Sequence, residues 1–231
     1  MIKIKEKGLQ DYNSTWQEMV SFTENRDNHT EDELWTLEHR SVFTQGLSGK
    51  PEHLLRETEI EVIKSDRGCQ ITYHGPGQLI VYCLIDIKRL GIGVKQMVSI
   101  IEKSIIDLLS DFSISSHKIP GAPGVYVDGS KIAALGLKVK RGKTYHGLSL
   151  NVDMNLSPYN LINPCGYKDL NVTQMSDLTD NKLELDKIKK ELTKYLTKYV
   201  SITIRIIATS RKQLDSINAD LQKSPLVSYL L

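Results

Sequence analysis

A cysteine held between a proline and a glycine is the first residue whose chemistry asks for an explanation. Cys165 lies in Asn163-Pro164-Cys165-Gly166-Tyr167. Proline fixes φ and has no amide proton, while glycine turns where other residues cannot. The thiol therefore belongs on a tight bend, a poor place for a core cysteine and a good one for a nucleophile. A free thiol of pKa about 8.5 is only a few per cent ionised near pH ~7, so a nucleophile here needs help. Lys131 opens Lys-Ile-Ala-Ala-Leu-Gly, just after an Asp-Gly pair. A lysine at a strand start is ordinarily a solvated charge. Placed over a pocket near Cys165, its ammonium would favour the thiolate and its neutral amine would accept a proton.

The densest polar passage is SDRGCQITYHGPGQ (65–78), with Arg, Gln, Thr, Tyr, His and three glycines in one strand-to-loop stretch. Glycines let backbone approach a ligand closely, and the His and Tyr offer polar handles beside apolar faces. It is not a phosphate loop, because no Gly-Lys-Ser/Thr opens a helix. A ligand-binding loop and a Gly/Pro-rich turn with a satisfied histidine both fit. Cys69 and His74 with His146 and Cys165 could be imagined around zinc. No Cys-x-x-Cys or His-Glu-x-x-His spacing supports that, so no metal is expected. Lys138, Lys140, Arg141 and Lys143 make a basic cluster, either solvated or open to an acidic partner.

These groups need a frame. A short strand at 2–4 and a helix at 10–22 precede a polar run, TENRDNHTEDE, that reads as a loop. LWTLEH (34–39) reads as a strand, TQGLSGKPEH (44–53) as turns, and ETEIEVIKSD (57–66) as an alternating strand. QLIVYCLIDI (78–87) is apolar almost throughout, which predicts a strand buried on both faces. Val94, Met97, Val98, Ile101, Ile105, Leu108, Leu109 and Phe112 follow helical spacing. GVYV (124–127) and KIAALGLKVK (131–140) flank Asp128-Gly129, a hairpin signal. HGLSLNVDM (146–154) follows the Arg141-Gly142 turn. A second amphipathic helix spans Leu183 to Val200, and SITIRII (201–207) reads as one more strand. The final LVSYLL has no clear assignment. Thr-Tyr-His-Gly occurs at 72–75 and again at 144–147, too short an echo to be a repeat. Strands outnumber helices and several are hairpin-linked, which predicts α+β with a mixed, largely antiparallel sheet flanked by helices.

The 231 residues suit one domain with a large core or at most two small ones, and 40% hydrophobic with 25% charged residues is an ordinary soluble composition. A net charge of +2 is too small to imply nucleic acid. Three cysteines without framework spacing point to a reducing compartment. MIKIKEKGLQDYNSTW lacks the apolar core of a secretion signal, and no run approaches the roughly 20 apolar residues of a membrane span. A cytoplasmic protein is expected.

Taken together, LWTLEHRSVFTQGLSGKPEHLL (34–55), SDRGCQITYHGPGQLIVY (65–82) and APGVYVDGSKIAALGLKVKRGKTYHGLSLNVDMNLSPYNLINPCGY (122–167) resemble the lipoyl(octanoyl) transferases. The resemblance implies the α+β fold of the biotin/lipoate ligase catalytic domain, over 1–207, with 208–231 a C-terminal extension. It implies octanoyl transfer from acyl carrier protein to a lysine of apo lipoyl domains, those of 2-oxoacid dehydrogenases and the glycine cleavage H protein, with no cofactor. Cys165 would carry the acyl group and Lys131 would be its partner. Arg67, Gly68, Cys69, Gln70, Ile71, Thr72, Tyr73 and His74 would form the acyl pocket with Ala134, Leu135, Gly136, Gly147, Leu148 and Ser149. One departure is Cys69, where the family usually has a second glycine; a side chain there narrows the pocket or demands a different backbone angle. Rival readings are an ATP-dependent lipoate or biotin ligase, a lipoyl-to-lipoyl-domain amidotransferase, and a noncatalytic acyl- or carrier-protein-binding module.

Overall fold

The seven residues Gln78–Leu84 are buried without exception, as their almost continuous apolar run predicts. In the computed structural model, which describes residues 2–200 and 209–223, they form a strand next to the central one of a seven-stranded sheet. The strands are β1 (Ile2–Gln10), β2 (Asp32–His39), β3 (Val42–Gln45), β4 (Val62–Lys64), β5 (Ile71–His74), β6 (Gln78–Leu84), β7 (His117–Ile119), β8 (Ala122–Val127), β9 (Ser130–Lys140) and β10 (Lys143–Asn151). The large sheet runs β1-β2-β6-β10-β9-β8-β7 and a small one runs β4-β3-β5. Only β1 with β2 and β3 with β4 pair in parallel; the other named pairs are antiparallel. The sheet is mixed and largely antiparallel, as expected.

Period-two alternation sends β6 side chains to opposite faces. Leu79, Val81 and Cys83 join the core beneath α3 (Val94–Asp111) and α4 (Leu185–Val200), where Met97, Ile101, Ile105, Leu192 and Leu196 are fully buried. Each such side chain contributes roughly 1.5–3 kcal/mol on burial. Ile80, Tyr82 and Leu84 face the other way, toward Met19 of α1 (Tyr12–Asn25) with Trp35 and Leu37. The Asp11 carboxylate accepts from the Ser14 amide at 2.9 Å and starts α1 there, because β1 runs to Gln10, well past the expected 2–4. A short α2 (Ile87–Leu90) ends on Gly91.

Both hairpin turns have the backbone their sequences require. Asp128 and Gly129 have φ of 46° and 80°, Arg141 and Gly142 of 53° and 81°, the two successive positive values of a tight primed turn. The expected strand at 57–66 contracts to Val62–Lys64. Its partner β3 is only four residues long and offers pairing to those three positions. The strand expected at 146–154 begins earlier, at Lys143, and stops at Asn151. Val152 and Asp153 then both donate to the Gly77 carbonyl. The expected strand 201–207 and the LVSYLL end lie outside the described residues.

The chain divides into two compact units, Met1–Ser201 and Ile202–Leu231. In the second, α5 (Arg211–Lys223) is described, with the Thr209 amide and hydroxyl both donating to the Gln213 side chain. No helix among the described residues is long and apolar enough to cross a membrane.

Candidate active site

Where the small sheet meets the large one, a small open cavity lies on the α1 side. Alternation along β5 turns Thr72 and His74 into its wall. Ile71 and Tyr73 pack instead with Phe43, Met154, Tyr159 and Ile162. From β9 and β10 come Ala134, Leu135, Gly136, Gly147, Leu148 and Ser149, all lining the cavity. Gly136 pairs with Gly147 across the strands, so this part of the wall is bare backbone. Gly147 has no alternative residue, since a Cβ there would lie 2.0 Å from the Val81 carbonyl oxygen.

Arg67, although charged, is 6% exposed and works as a staple. Its Nε donates to Thr44 Oγ1 at 3.0 Å and its Nη1 to the Gly68 carbonyl at 3.0 Å. Gly68 carries the turn, its amide directed at the Leu137 carbonyl. Gln70 reaches away from the cavity, accepting from the Lys50 amide at 3.1 Å. Of the loop residues, Arg67, Cys69, Thr72 and His74 touch the cavity; Gly68, Gln70, Ile71 and Tyr73 support it from behind.

Four lining residues had no place in the sequence reading of the pocket: Tyr12, Ile80, Tyr82 and His146. Alternation along 78–84 carries the signal for Ile80 and Tyr82. Nothing local marks Tyr12, which stacks on the His74 ring at 6.0 Å. His146 belongs to the short echo of 72–75, and the two echo histidines reach the same cavity. His74 Nδ1 bonds the Gln78 side chain at 2.7 Å, and burial holds its pKa well below the ordinary histidine value. His146 Nε2 bonds Asp66 at 2.9 Å, and burial, opposed by that carboxylate, leaves its pKa lowered. Burial works to raise Asp66, but hydrogen bonds from His146, Tyr145 and Trp16 outweigh it and bring the group to about 2. The histidines are therefore neutral at neutral pH, and the wall carries no charge from them.

Cys165 stands on a turn, Pro164–Gly166, with φ of 55°. The Asn163 amide donates to the His53 carbonyl at 2.8 Å, and the Gly166 and Tyr167 amides close the turn on Asn163 and Pro164. Lys131 is 4% exposed, and its Nζ donates to Cys165 Sγ at 3.3 Å and to the Pro123 carbonyl at 3.2 Å. Its main chain is clamped as well, the amide on the Asn171 carbonyl and the carbonyl on the Thr173 amide. Gly124 leaves room for the side chain, since a Cβ there would lie 3.0 Å from Lys131 Cε. A second, smaller cavity, lined by Lys131, Asn151 and Tyr159 among others, meets the first at Cys165, Thr72 and Ala134.

Cys69 faces the same space, at φ of 83°. It and Cys165 titrate as a pair. A hydrogen bond from Cys165, opposed by burial and helped by Arg67 and Lys131, brings the first ionisation down to about 5. Hydrogen bonding to that anion, together with burial, pushes the second well above a free thiol. At neutral pH the pair thus holds one thiolate between two sulfurs. Burial works to lower the Lys131 ammonium, but the neighbouring Cys165 charge and Tyr126 outweigh it, and its pKa is raised. The site is an ammonium–thiolate pair at the edge of a mostly apolar cavity, which is the equipment for taking up an acyl group on sulfur.

Among the described residues no three His, Cys, Asp or Glu side chains are arranged to hold a metal. The basic cluster is partly engaged within the chain: Lys140 pairs with Glu24, and Lys143 donates to the Arg26 carbonyl.

The geometry has relatives. Residues 11–197 match the family described as lipoyl protein ligase A/B catalytic domain. Residues 172–231 also match a family described as protein of unknown function DUF493. An octanoyltransferase of Vesicomyosocius okutanii subsp. Calyptogena okutanii is 58% identical over 194 residues, covering 84% of this chain and 95% of that one. Among solved structures, a lipoate-protein ligase A bound with ATP superposes with a TM-score of 0.67 at 12% identity, over 99% of this chain and 96% of that one. The biotin protein ligase of Aquifex aeolicus in complex with biotin and ATP gives 0.54 at 13% identity, over 86% and 70%. The chain belongs to the lipoyl protein ligase A/B catalytic-domain family and, within it, to the octanoyltransferases.

Proposed function

We propose that the protein moves an octanoyl group from octanoyl-acyl carrier protein to a lysine of apo lipoyl domains, with Cys165 carrying the group as a thioester between two half-reactions. The acceptors in this reading are the lipoyl domains of 2-oxoacid dehydrogenases and the glycine cleavage H protein, and the setting is the cytoplasm, where thiols stay reduced. The catalytic domain spans 1–207, and 208–231 is an extension. The observation that supports it best is the 3.3 Å contact between Lys131 Nζ and Cys165 Sγ where two cavities meet.

The Cys165 thiolate attacks the donor thioester, and the departing carrier thiolate takes a proton from the Lys131 ammonium. One thioester replaces another, so this step is nearly neutral in energy. Once the thiolate is consumed, the largest influence left on Lys131 is burial, which favours its neutral amine. That amine then accepts the proton released when the acceptor lysine attacks the acyl-enzyme. Collapse to the amide expels the Cys165 thiolate and restores the ion pair. An amide forms from a thioester downhill, without ATP. The apolar wall of Ala134, Leu135, Ile80 and Leu148 excludes water from the intermediate.

Intact-mass measurement after mixing with octanoyl-acyl carrier protein tests the reading. One added octanoyl group is expected on the wild type and none on Cys165→Ala. An adduct that persists in Cys165→Ala, or transfer that runs only from free octanoate with ATP, overturns it.

A further inference from the structure

Cys69 is a thiol at the site that the transfer does not use. Its backbone lies in the left-handed region, which costs a residue with a Cβ roughly 1–2 kcal/mol. A side chain is kept at a position whose backbone favours glycine, and that side chain is a thiol lining the nucleophile's own cavity. The two loops touch: a Cβ on Gly166, the residue after Cys165, would come within 2.8 Å of Gln70 Cγ, the residue after Cys69. Both thiols are half-buried and free, and both line the one cavity where the two loops meet. Both sit on irregular backbone, a loop and a single turn, rather than in a strand ladder. The third cysteine, Cys83, is fully buried on the opposite core face and pushed up to about 12 by burial, which leaves it inert.

We propose that Cys69 and Cys165 form a peroxide-modification site, in which Cys69 is the resolving thiol that captures oxidised Cys165 as an intramolecular disulfide. The Cys165 thiolate attacks hydrogen peroxide; the O–O bond breaks, hydroxide leaves, and the sulfur is oxidised to sulfenic acid. The Lys131 ammonium, already on that sulfur, supplies the proton that turns the leaving hydroxide into water. Cys69 gives up the proton the pair had kept to the Lys131 amine left by the first step, and its thiolate attacks the sulfenic sulfur; the S–O bond breaks, and the departing hydroxide takes that proton from Lys131 to leave as a second water. Two thiols and one peroxide give one disulfide and two waters. A dithiol reductant reverses the bond by thiol exchange. Without a resolving thiol, further peroxide carries the sulfenic acid to sulfinic acid, which such a reductant does not reverse. The bond rests on the placement of the two thiols; its effect on transfer rests on the function proposed for Cys165.

The test uses the full chain, reduced, freed of reductant and titrated with hydrogen peroxide. Intact mass should fall by two hydrogens, and a peptide map should contain a Cys69–Cys165 cross-link with Cys83 alone alkylated after denaturation. Dithiothreitol should return both thiols and full octanoyl uptake. In Cys69→Ala, Cys165 should instead gain two oxygens and stay inactive under dithiothreitol. A wild-type map with Cys165 as sulfinic acid and Cys69 still alkylatable overturns the proposal, and this arm stands even if the variant misfolds. The cross-link is scored without any acyl donor, so failure to acylate and failure to cross-link are read separately.

Discussion

Replacing Lys131 with methionine keeps a long, buried side chain and removes its charge, which isolates what the ammonium does. At the observed 3.3 Å, with an effective dielectric constant of about 20, the bare attraction to the Cys165 thiolate is about 5 kcal/mol. Burial of both groups takes back several kcal/mol of that. Opposite charges at this range in proteins move an ionisation by roughly 1–3 units. The midpoint of the pH profile for alkylation of Cys165 by iodoacetamide should therefore move up by roughly 1–3 pH units. The assay must be site-resolved, by peptide mass spectrometry, because Cys69 alkylates too. Lys131→Arg supplies the complementary reading, since a guanidinium keeps the charge but does not give up its proton. It should keep the alkylation profile near that of the wild type while failing to pass the acyl group to an acceptor amine. A folded Lys131→Met protein that alkylates Cys165 with the wild-type pH profile would refute both the ion pair and the mechanism built on it.

Two further perturbations probe the frame. Burial lowers His39 from 6.5 to about 4, so between those pH values the unfolded chain binds a proton that the folded one refuses. Stability is full above pH 6.5 and falls as pH drops toward 4, by about 3 kcal/mol from this residue; urea titrations across that window should show the loss, and His39→Gln should lessen it, leaving the part due to the buried His74 and His146. A pH-independent urea midpoint would mean that the ring is not buried neutral. Gly147→Ala drives a methyl group to 2.0 Å from the Val81 carbonyl oxygen, so the strands must part. The expected loss is about 1–3 kcal/mol, seen as a lower melting temperature; an unshifted melt would show that β6 and β10 do not approach so closely there.

Much of the frame is written locally. Asp-Gly and Arg-Gly turns, the apolar run of β6 and the helical spacing of α3 each encode their element without reference to anything distant. Where a partner decides, sequence reasoning misjudges. The alternation at 57–66 is real, but β3 is too short to pair with more than Val62–Lys64. β7, three exposed residues, exists only because β8 offers an edge. The same division runs through the site. Cys165 is legible from its turn and Lys131 from its strand, yet nothing in a 34-residue separation says that they touch. Tyr12 reaches the cavity across the fold from α1, and Tyr73, inside the loop expected to bind, faces away because strand alternation forbids neighbours from sharing a face.

Both members of the proposed catalytic pair are delivered by breaks in regular structure, and there is a physical reason. Strand side chains are committed to one face or the other, and the cavity wall already uses the inward positions of β5, β9 and β10. A nucleophile where two cavities meet has to come from backbone free of that alternation, which the left-handed Cys165 turn provides. Its conformational penalty of roughly 1–2 kcal/mol is of the same size as the hydrogen bonds that hold Asn163, Gly166 and Tyr167, at about 1 kcal/mol each. Lys131 needs a different device. The register of β9 against β8 slips between Val125 and Tyr126, which pair with Ala133 and Lys131. The extra residue re-aims the start of the strand, so that an amine from the sheet meets a sulfur from the turn. Periodicity, the strongest signal in a sequence, is blind to both devices because each consists in interrupting it.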